Sequence, residues 1–395
     1  MRVIVPVTID AAKLTSSSIP EPSAGEVVYD VNGSYVKGLK VVSLTTHLQY
    51  TSLQGKSFEG VTFVISSPGL VGWTDHGLVA GDPVSFTTTG ALPTGLIAST
   101  TYYVLSASTD LFSLAATAGG AALNFTGTQS GTHTGKSREN KGRALPVLPV
   151  KENDWWVISG TTNKHKSFDL ERSSQAVHTS PMTQTIAPGK RVAAIAVLGM
   201  DAETITITGT SASNMAINGG VVYSKTENLR RRRVNDGYEY CFSEFYNQPS
   251  FVAFDVPPIT DLVLTITLTK VGGTVSCGSI VVGTTVYLGA TRYDAESDLY
   301  NFSPIERDED TNEATLTPQR TVPKTTQTCE LPKEHASRAY ATRDLLNAVP
   351  AVWAALDDGA DDYFETLLIL GIYKRFTINV AYPLQCLLSI EIEEI

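Results

Sequence analysis

The sequence predicts a mainly β, multidomain protein, and three observations carry that expectation. Leu262, Leu264, Ile266 and Leu268 alternate with Val263, Thr265, Thr267 and Thr269, the period of two that buries one face of a pleated strand. β-Branched residues, glycine and short Ser/Thr runs recur while charged residues are only 18%, a composition suited to short strands joined by tight turns. A chain of 395 residues exceeds what one hydrophobic core usually serves, so roughly two to four domains are expected.

Leu262–Thr269 is the segment from which the rest is placed. Gly272-Gly273 follows as a turn and 274–282 runs back, so the pair reads as a hairpin. Four buried aliphatics contribute roughly 1.5–3 kcal/mol each, against roughly 1–2 kcal/mol of ordering cost per residue, so this hairpin needs a second sheet. Strands expected at 191–198, 204–208, 221–224, 238–245 and 250–255 supply it, and residues 161–293 read as a jelly-roll-type β-sandwich.

Residues 1–57 with 154–160 read as an N-terminal arm and a small β unit, in which Asn32-Gly33 between two β-rich runs signals a hairpin. Residues 58–153 shift towards Gly, Thr, Ser and Ala, with short strands at 61–66, 83–88, 101–106 and 111–114, and read as an inserted all-β module. Its exit is polar and basic, and Pro146 and Pro149 stiffen the return. Residues 294–395 read as an α+β domain. Its first part, to 328, is polar, with an acidic cluster at 306–310 read as a solvated loop. A helix is expected over 334–349, where Ala336, Ala339, Tyr340, Leu346 and Val349 share a face, followed by strands at 367–371, 373–380 and 386–395.

The formal net charge of −10 argues against nucleic acid as a partner, and Arg230–Arg233 reads as a solvated loop or an ion-paired contact with another subunit. Cys241, Cys277, Cys329 and Cys386 are widely spread, which suits buried free thiols and neither a zinc site nor a disulfide scaffold. Pro6 breaks the opening apolar run too early for a signal peptide, and no window reaches the ~18–20 apolar residues of a membrane helix. Synthesis in a reducing cytosol without membrane insertion is therefore expected.

No chemistry is signalled. The histidines form no HExxH pattern, no G-x-S-x-G elbow occurs, and Gly131 and Gly135 enclose three residues where a phosphate-binding loop has four. The acidic run at 357–362 lacks calcium-loop spacing and reads as a loop. No catalytic, cofactor or metal residue is assigned, and no enzyme is expected. Aromatics give a different signal: Tyr29, Tyr35, Tyr50, Trp155 and Trp156 gather around the small N-terminal unit once 58–153 is set aside. They read either as exposed faces that stack on sugar rings or as the core of a very small domain.

Several stretches carry a family likeness. They are Met1-Arg2-Val3-Ile4-Val5-Pro6-Val7-Thr8-Ile9, Gly160-Thr161-Thr162-Asn163, Pro188-Gly189-Lys190, Gly273-Thr274-Val275-Ser276-Cys277-Gly278, and Leu370-Gly371-Ile372-Tyr373-Lys374-Arg375-Phe376. In these the chain resembles a group of tailed-bacteriophage minor tail proteins of the tail tip or baseplate. Tyr35, Gly38, Val41 and Tyr50, with Trp155-Trp156, resemble a small chitin-binding-type carbohydrate module split by an insertion. The insertion, with His76-Gly77-Leu78 and Gly127–His133, is similar to a β module recurring in phage virion proteins. The resemblance implies a structural, non-enzymatic component of the virion tail, made in the host cytoplasm. Its implied partners are other tail and baseplate proteins and copies of itself. The alternative is a receptor-binding module that recognises host surface glycan through the five aromatics.

Overall fold

At Leu262–Thr269 the four aliphatics are buried and the residues between them half-buried. The computed structural model describes all residues except 32–33, 36–37, 54–56, 75, 138–139, 142–143, 154, 215–217, 233, 235, 308–313, 357–364 and 381–382. The Asn32-Gly33 turn, the acidic run at 357–362, Arg233 and part of the 306–310 cluster therefore lie outside the described residues. The protein is mainly β, with 48% of the described residues in strands and 9% in helix. It divides into two compact units, Met1–Glu21 with Asn163–Ile395, and Pro22–Thr162.

The first unit contains a β-sandwich. One layer is a five-stranded antiparallel sheet in the order Val221–Asn228, Thr204–Ser211, Leu262–Thr269, Met182–Ile186, Leu14–Ser17. Its inner face presents Ile205, Ile207, Leu264, Ile266 and Met182. Its outer face carries threonine pairs across the strands, Thr183–Thr267 at 3.2 Å and Thr185–Thr265 at 3.1 Å, which satisfy hydroxyls that a water-facing pleat leaves over. The opposite layer, Ser250–Ala253, Ala194–Leu198 and Ser279–Tyr287, closes the core with Phe251, Ile195, Val197, Ile280 and Val282.

The hairpin expected at Gly272-Gly273 is not formed. Both edges of Leu262–Thr269 are already taken, by Met182–Ile186 and Thr204–Ser211. After Gly272, which sits at φ 62°, the chain crosses to the other layer, where Thr274–Cys277 pairs with Ala176–Thr179. A glycine turn serves a sheet change as well as a hairpin.

Ser279–Tyr287 also belongs to a curled, half-barrel sheet. From it the ten-stranded sheet runs through Arg2–Pro6, Ala351–Ala354, Leu368–Asn379, Gln385–Glu394 and Thr321–Pro332 to Ala290–Thr291. Ala290 follows Tyr287 after only Leu288 and Gly289, so the chain turns from one strand of this sheet into its far end. Strands on both sides of residue 294 thus share one sheet. Gly289 makes the corner at φ 107°, where an added Cβ would stand 2.2 Å from the Glu330 carbonyl oxygen. Inside lie Val3, Trp353, Ile369, Phe376, Leu388, Ile390 and Ile392, and the helix Ala336–Leu345 adds Ala339. That helix is shorter than expected and is preceded by a 3-10 turn, Lys333–His335. The strands expected at 367–371 and 373–380 are one strand, Leu368–Asn379, with a bulge between Tyr373 and Arg375.

Two further expectations are corrected. Residues 238–245 are not a strand: Gly237–Phe242 is a short helix, capped by Asp236, whose carboxylate accepts from the Glu239 amide at 2.7 Å. The cluster 306–310, read as a solvated loop, begins in a strand: Ile305–Arg307 pairs with Ala314–Leu316, and before it Glu296–Asn301 pairs with Thr321–Pro332. Of the cysteines, Cys277, Cys329 and Cys386 are buried free thiols and Cys241 is exposed.

The second unit holds a seven-stranded sheet whose central strands are Pro83–Thr88, Tyr102–Ala107 and Leu111–Ala115. It also holds a three-stranded sheet, Trp156–Thr161, Leu48–Ser52, Lys40–Ser43. One core cluster includes residues of both, among them Trp156, Tyr50, Trp73, Phe86 and Phe112. Ser34–Tyr35 pairs with Asn140–Lys141. Residues 133–137, part of the near-match to a phosphate loop, form a strand held on both sides, by Pro83–Thr88 and Ser57–Glu59.

Candidate interaction site

Of the two readings of the five aromatics, sugar-stacking faces or the core of a very small domain, the packing favours the second. Tyr29 stacks on Tyr35 at 5.9 Å, and Trp156 meets Tyr29 edge-on at 5.7 Å and Tyr35 at 5.2 Å. Tyr50 and Trp156 are 0% exposed, and Tyr35 and Trp155 are also buried; only Tyr29 is half-buried. Their polar atoms find partners within the unit. The Tyr35 hydroxyl accepts from the Asp30 amide and donates to the Asp30 carbonyl, Tyr50 meets Thr46 at 3.0 Å, and the Trp155 and Trp156 amides both donate to Asn153 Oδ1. Burial, then the neighbouring Tyr35 and Asp30, push the Tyr29 hydroxyl above the usual tyrosine range. Among the described residues these rings belong to the core of the unit, with Tyr29 at its border.

Exposed aromatics lie elsewhere, in the first unit. Tyr238, Tyr240 and Phe242 on the capped helix, with Phe245 and Tyr246 just after it, are each 52–72% exposed. Arg230–Arg231 pairs with Tyr246–Asn247 and holds the arginines beside the rings. The Arg230 guanidinium sits 4.4 Å from the Phe245 centroid, and that of Arg232 sits 4.8 Å from Tyr240 and 5.1 Å from Phe245. Arg231 is fixed by a 3.1 Å hydrogen bond from its Nε to Gln248 Oε1. Guanidinium planes stacked on rings keep their N–H edges directed outward, ready for a carboxylate fork. The signal was present in the sequence, a four-arginine run shortly before a cluster of aromatics, but aromatics read as strand interior conceal it.

A second exposed feature is the arm formed by Glu296–Asn301 and the strands that follow it. All six residues of Glu296–Asn301 are exposed. Leu299, Tyr300, Phe302, Ile305 and Leu316 are 48–64% exposed, a concentration of apolar surface that a monomer in water seldom leaves open. At its base an open groove of about 580 Å³ is lined by Thr291, Arg292, Tyr293, Asp294 and Glu330.

Glu394 is held by Arg320 at 2.7 Å and Arg172 at 3.7 Å. Burial raises the Glu365 carboxyl above its ordinary range, against the pull of Ser250 and Arg172. Asp261 is lowered to about 2 by the Ser213 amide and hydroxyl and by Ser211, which ties down the turn after Thr204–Ser211. Among the described residues no helix is long and apolar enough to cross a membrane. No family model and no curated protein matches the chain.

Proposed function

We propose that the chain is a structural component of a bacteriophage tail tip or baseplate, acting through contact with other tail proteins and with copies of itself rather than through turnover. The observation that carries this reading is the exposed apolar arm on a curled β framework. The sandwich and the curled sheet have their own buried cores, and Leu299, Tyr300, Phe302, Ile305 and Leu316 are apolar surface outside them. The two-stranded ribbon Ile305–Arg307 with Ala314–Leu316 is marginal by itself, and a covering partner supplies what it lacks. The residue-level likeness of 1–9, 160–163 and 370–376 to minor tail proteins points to the same setting.

The test is direct. Antibody raised against the purified chain is applied with gold to phage particles whose genome encodes it. Label is expected at the tail end away from the capsid, and deletion of the gene is expected to give particles without a complete tip. Particles that carry no label and assemble normally after the deletion would overturn the reading.

A further inference from the structure

We propose that the arm of one copy docks on the arginine–aromatic patch of a second copy, so that this chain associates head to tail. This rests on the reading of the chain as an assembling component and deepens it by naming the surfaces. Charge is unevenly placed along the chain. Between residues 293 and 319 the sequence holds eight carboxylates and one arginine, a local balance of −7 within a chain whose total is −10. Arg230–Arg233 is the one run of four consecutive basic residues, and with Asp236, Glu239 and Glu244 after it residues 230–247 balance at +1, the positive charge gathered at the arginines. The arm and the arginines are complementary in sign.

They are also complementary in surface chemistry. The patch presents Tyr238, Tyr240 and Phe242 beside stacked arginines, and the arm presents Leu299, Phe302 and Ile305 between acids such as Glu296 and Asp298. Aromatic residues and arginine are the types that interface cores favour, and carboxylates paired with a guanidinium fork fix the register. Each surface is more than half exposed at most of these residues, so neither covers the other within one chain. A partner carrying the other surface does, and a second copy is such a partner. Because the two surfaces differ, the contact is heterologous and repeats: it closes into a ring where the rotation permits, and otherwise propagates as a filament.

The full chain is tested by light scattering across a concentration series at low and high salt. Average mass is expected to rise with concentration and to fall with added salt, since exposed charge pairs are screened. A patch variant, Arg230→Glu with Arg232→Glu, and an arm variant, Leu299→Ser with Phe302→Ser, are each expected to stay monomeric. Arg230, Leu299 and Phe302 are exposed and Arg232 is half-buried, and circular dichroism checks that the fold is kept. Mixed in equal amounts, the two variants retain one working interface between them and are expected to stop at a two-chain species. As a rescue independent of those variants, a chain carrying Arg230→Glu, Arg232→Glu, Glu296→Lys and Asp298→Lys together is expected to regain association.

A wild-type chain that stays monomeric throughout overturns the proposal, as does association unchanged in both variants or a mixture that forms no pair. Association lost in neither variant, while the patch variant alone stops binding a sulfated polysaccharide column, would make the patch an anionic glycan site instead. Failure here with gold label still at the tail tip removes only the arm–patch contact; association through these surfaces without label removes the tail assignment and leaves the contact.

Discussion

The molecule carries two aromatic clusters of similar composition and opposite fate. Around Trp156, three tyrosines and two tryptophans are drawn inward. Around Tyr238, three tyrosines and two phenylalanines remain in water. What separates them is the backbone that carries them. Tyr50 and Trp156 sit on neighbouring strands whose inner face shares one core with Val41, Val71, Val84 and Leu114, so the sheet carries their rings inward. Tyr238, Tyr240 and Phe242 ride on a six-residue helix with no buried residue, outside a sandwich filled by isoleucine, leucine and valine. Residue type alone sets neither outcome: rings go inside where the element that carries them faces a core and remain outside where it does not.

The largest test of that contrast is Trp156→Ala. Removing a fully buried indole is expected to cost about 3–5 kcal/mol, seen as a lower midpoint in urea for the unit Pro22–Thr162. A loss below 1 kcal/mol would show that the ring is dispensable to the core. Next is Tyr35→Phe, which keeps the ring and removes the hydroxyl serving both the amide and the carbonyl of Asp30. A loss of about 0.5–1.5 kcal/mol is expected, the net contribution of a typical hydrogen bond, since Asp30 itself is exposed and water can take up its backbone groups. On the exposed side, Asp236→Ala removes the cap of the patch helix and is expected to cost about 1 kcal/mol locally. Hydrogen exchange at the Glu239 amide should then quicken roughly five-fold, with the global midpoint unchanged.

Tyr29 stands at the border of the buried cluster and gives the contrast a pH signature. Its hydroxyl is raised by burial, so in the folded chain it keeps its proton after an unfolded tyrosine, near pH ~10, has lost one. The native state then holds more protons, and stability falls as pH rises above that point. Tyr29→Phe is expected to flatten this decline, measured as the thermal midpoint between about pH 9 and pH 11. An unchanged slope would mean that Tyr29 titrates as a solvated side chain.

How far these features were legible in the sequence follows the same division. The alternation at Leu262–Thr269 and at Gln385–Glu394 was legible because one face of each strand meets a core and the residue pattern reports it directly. The pairing of Leu262–Thr269 was not, since Gly272-Gly273 suits a hairpin and a crossing between layers equally, and the choice depends on which edges distant strands occupy. The place of Arg2–Pro6 between Ser279–Tyr287 and Ala351–Ala354 is likewise a non-local fact. Tyr238, Tyr240 and Phe242 misled through their period of two, which signals a strand only when one face is buried. Asp236 three residues before Glu239 was the local sign of the helix.

The smallest expected effect is also the one most specific to the comparison. Phe242 contacts Tyr238 at 4.8 Å across the helix, and both rings are largely in water. An exposed pair of this kind contributes a few tenths of a kcal/mol to an isolated helix, and surface changes in general shift stability by no more than about 0.5 kcal/mol. Phe242→Ser is therefore expected to leave the unfolding midpoint within that margin, while reducing binding of a dye that reports exposed apolar surface. The paired measurement matters more than either half. A substantial loss of stability would mean that the ring is part of the folded core, and the two clusters would then differ only in degree. Unchanged stability with reduced dye binding places its apolar area entirely on the outside, where folding makes no use of it and a contacting surface would.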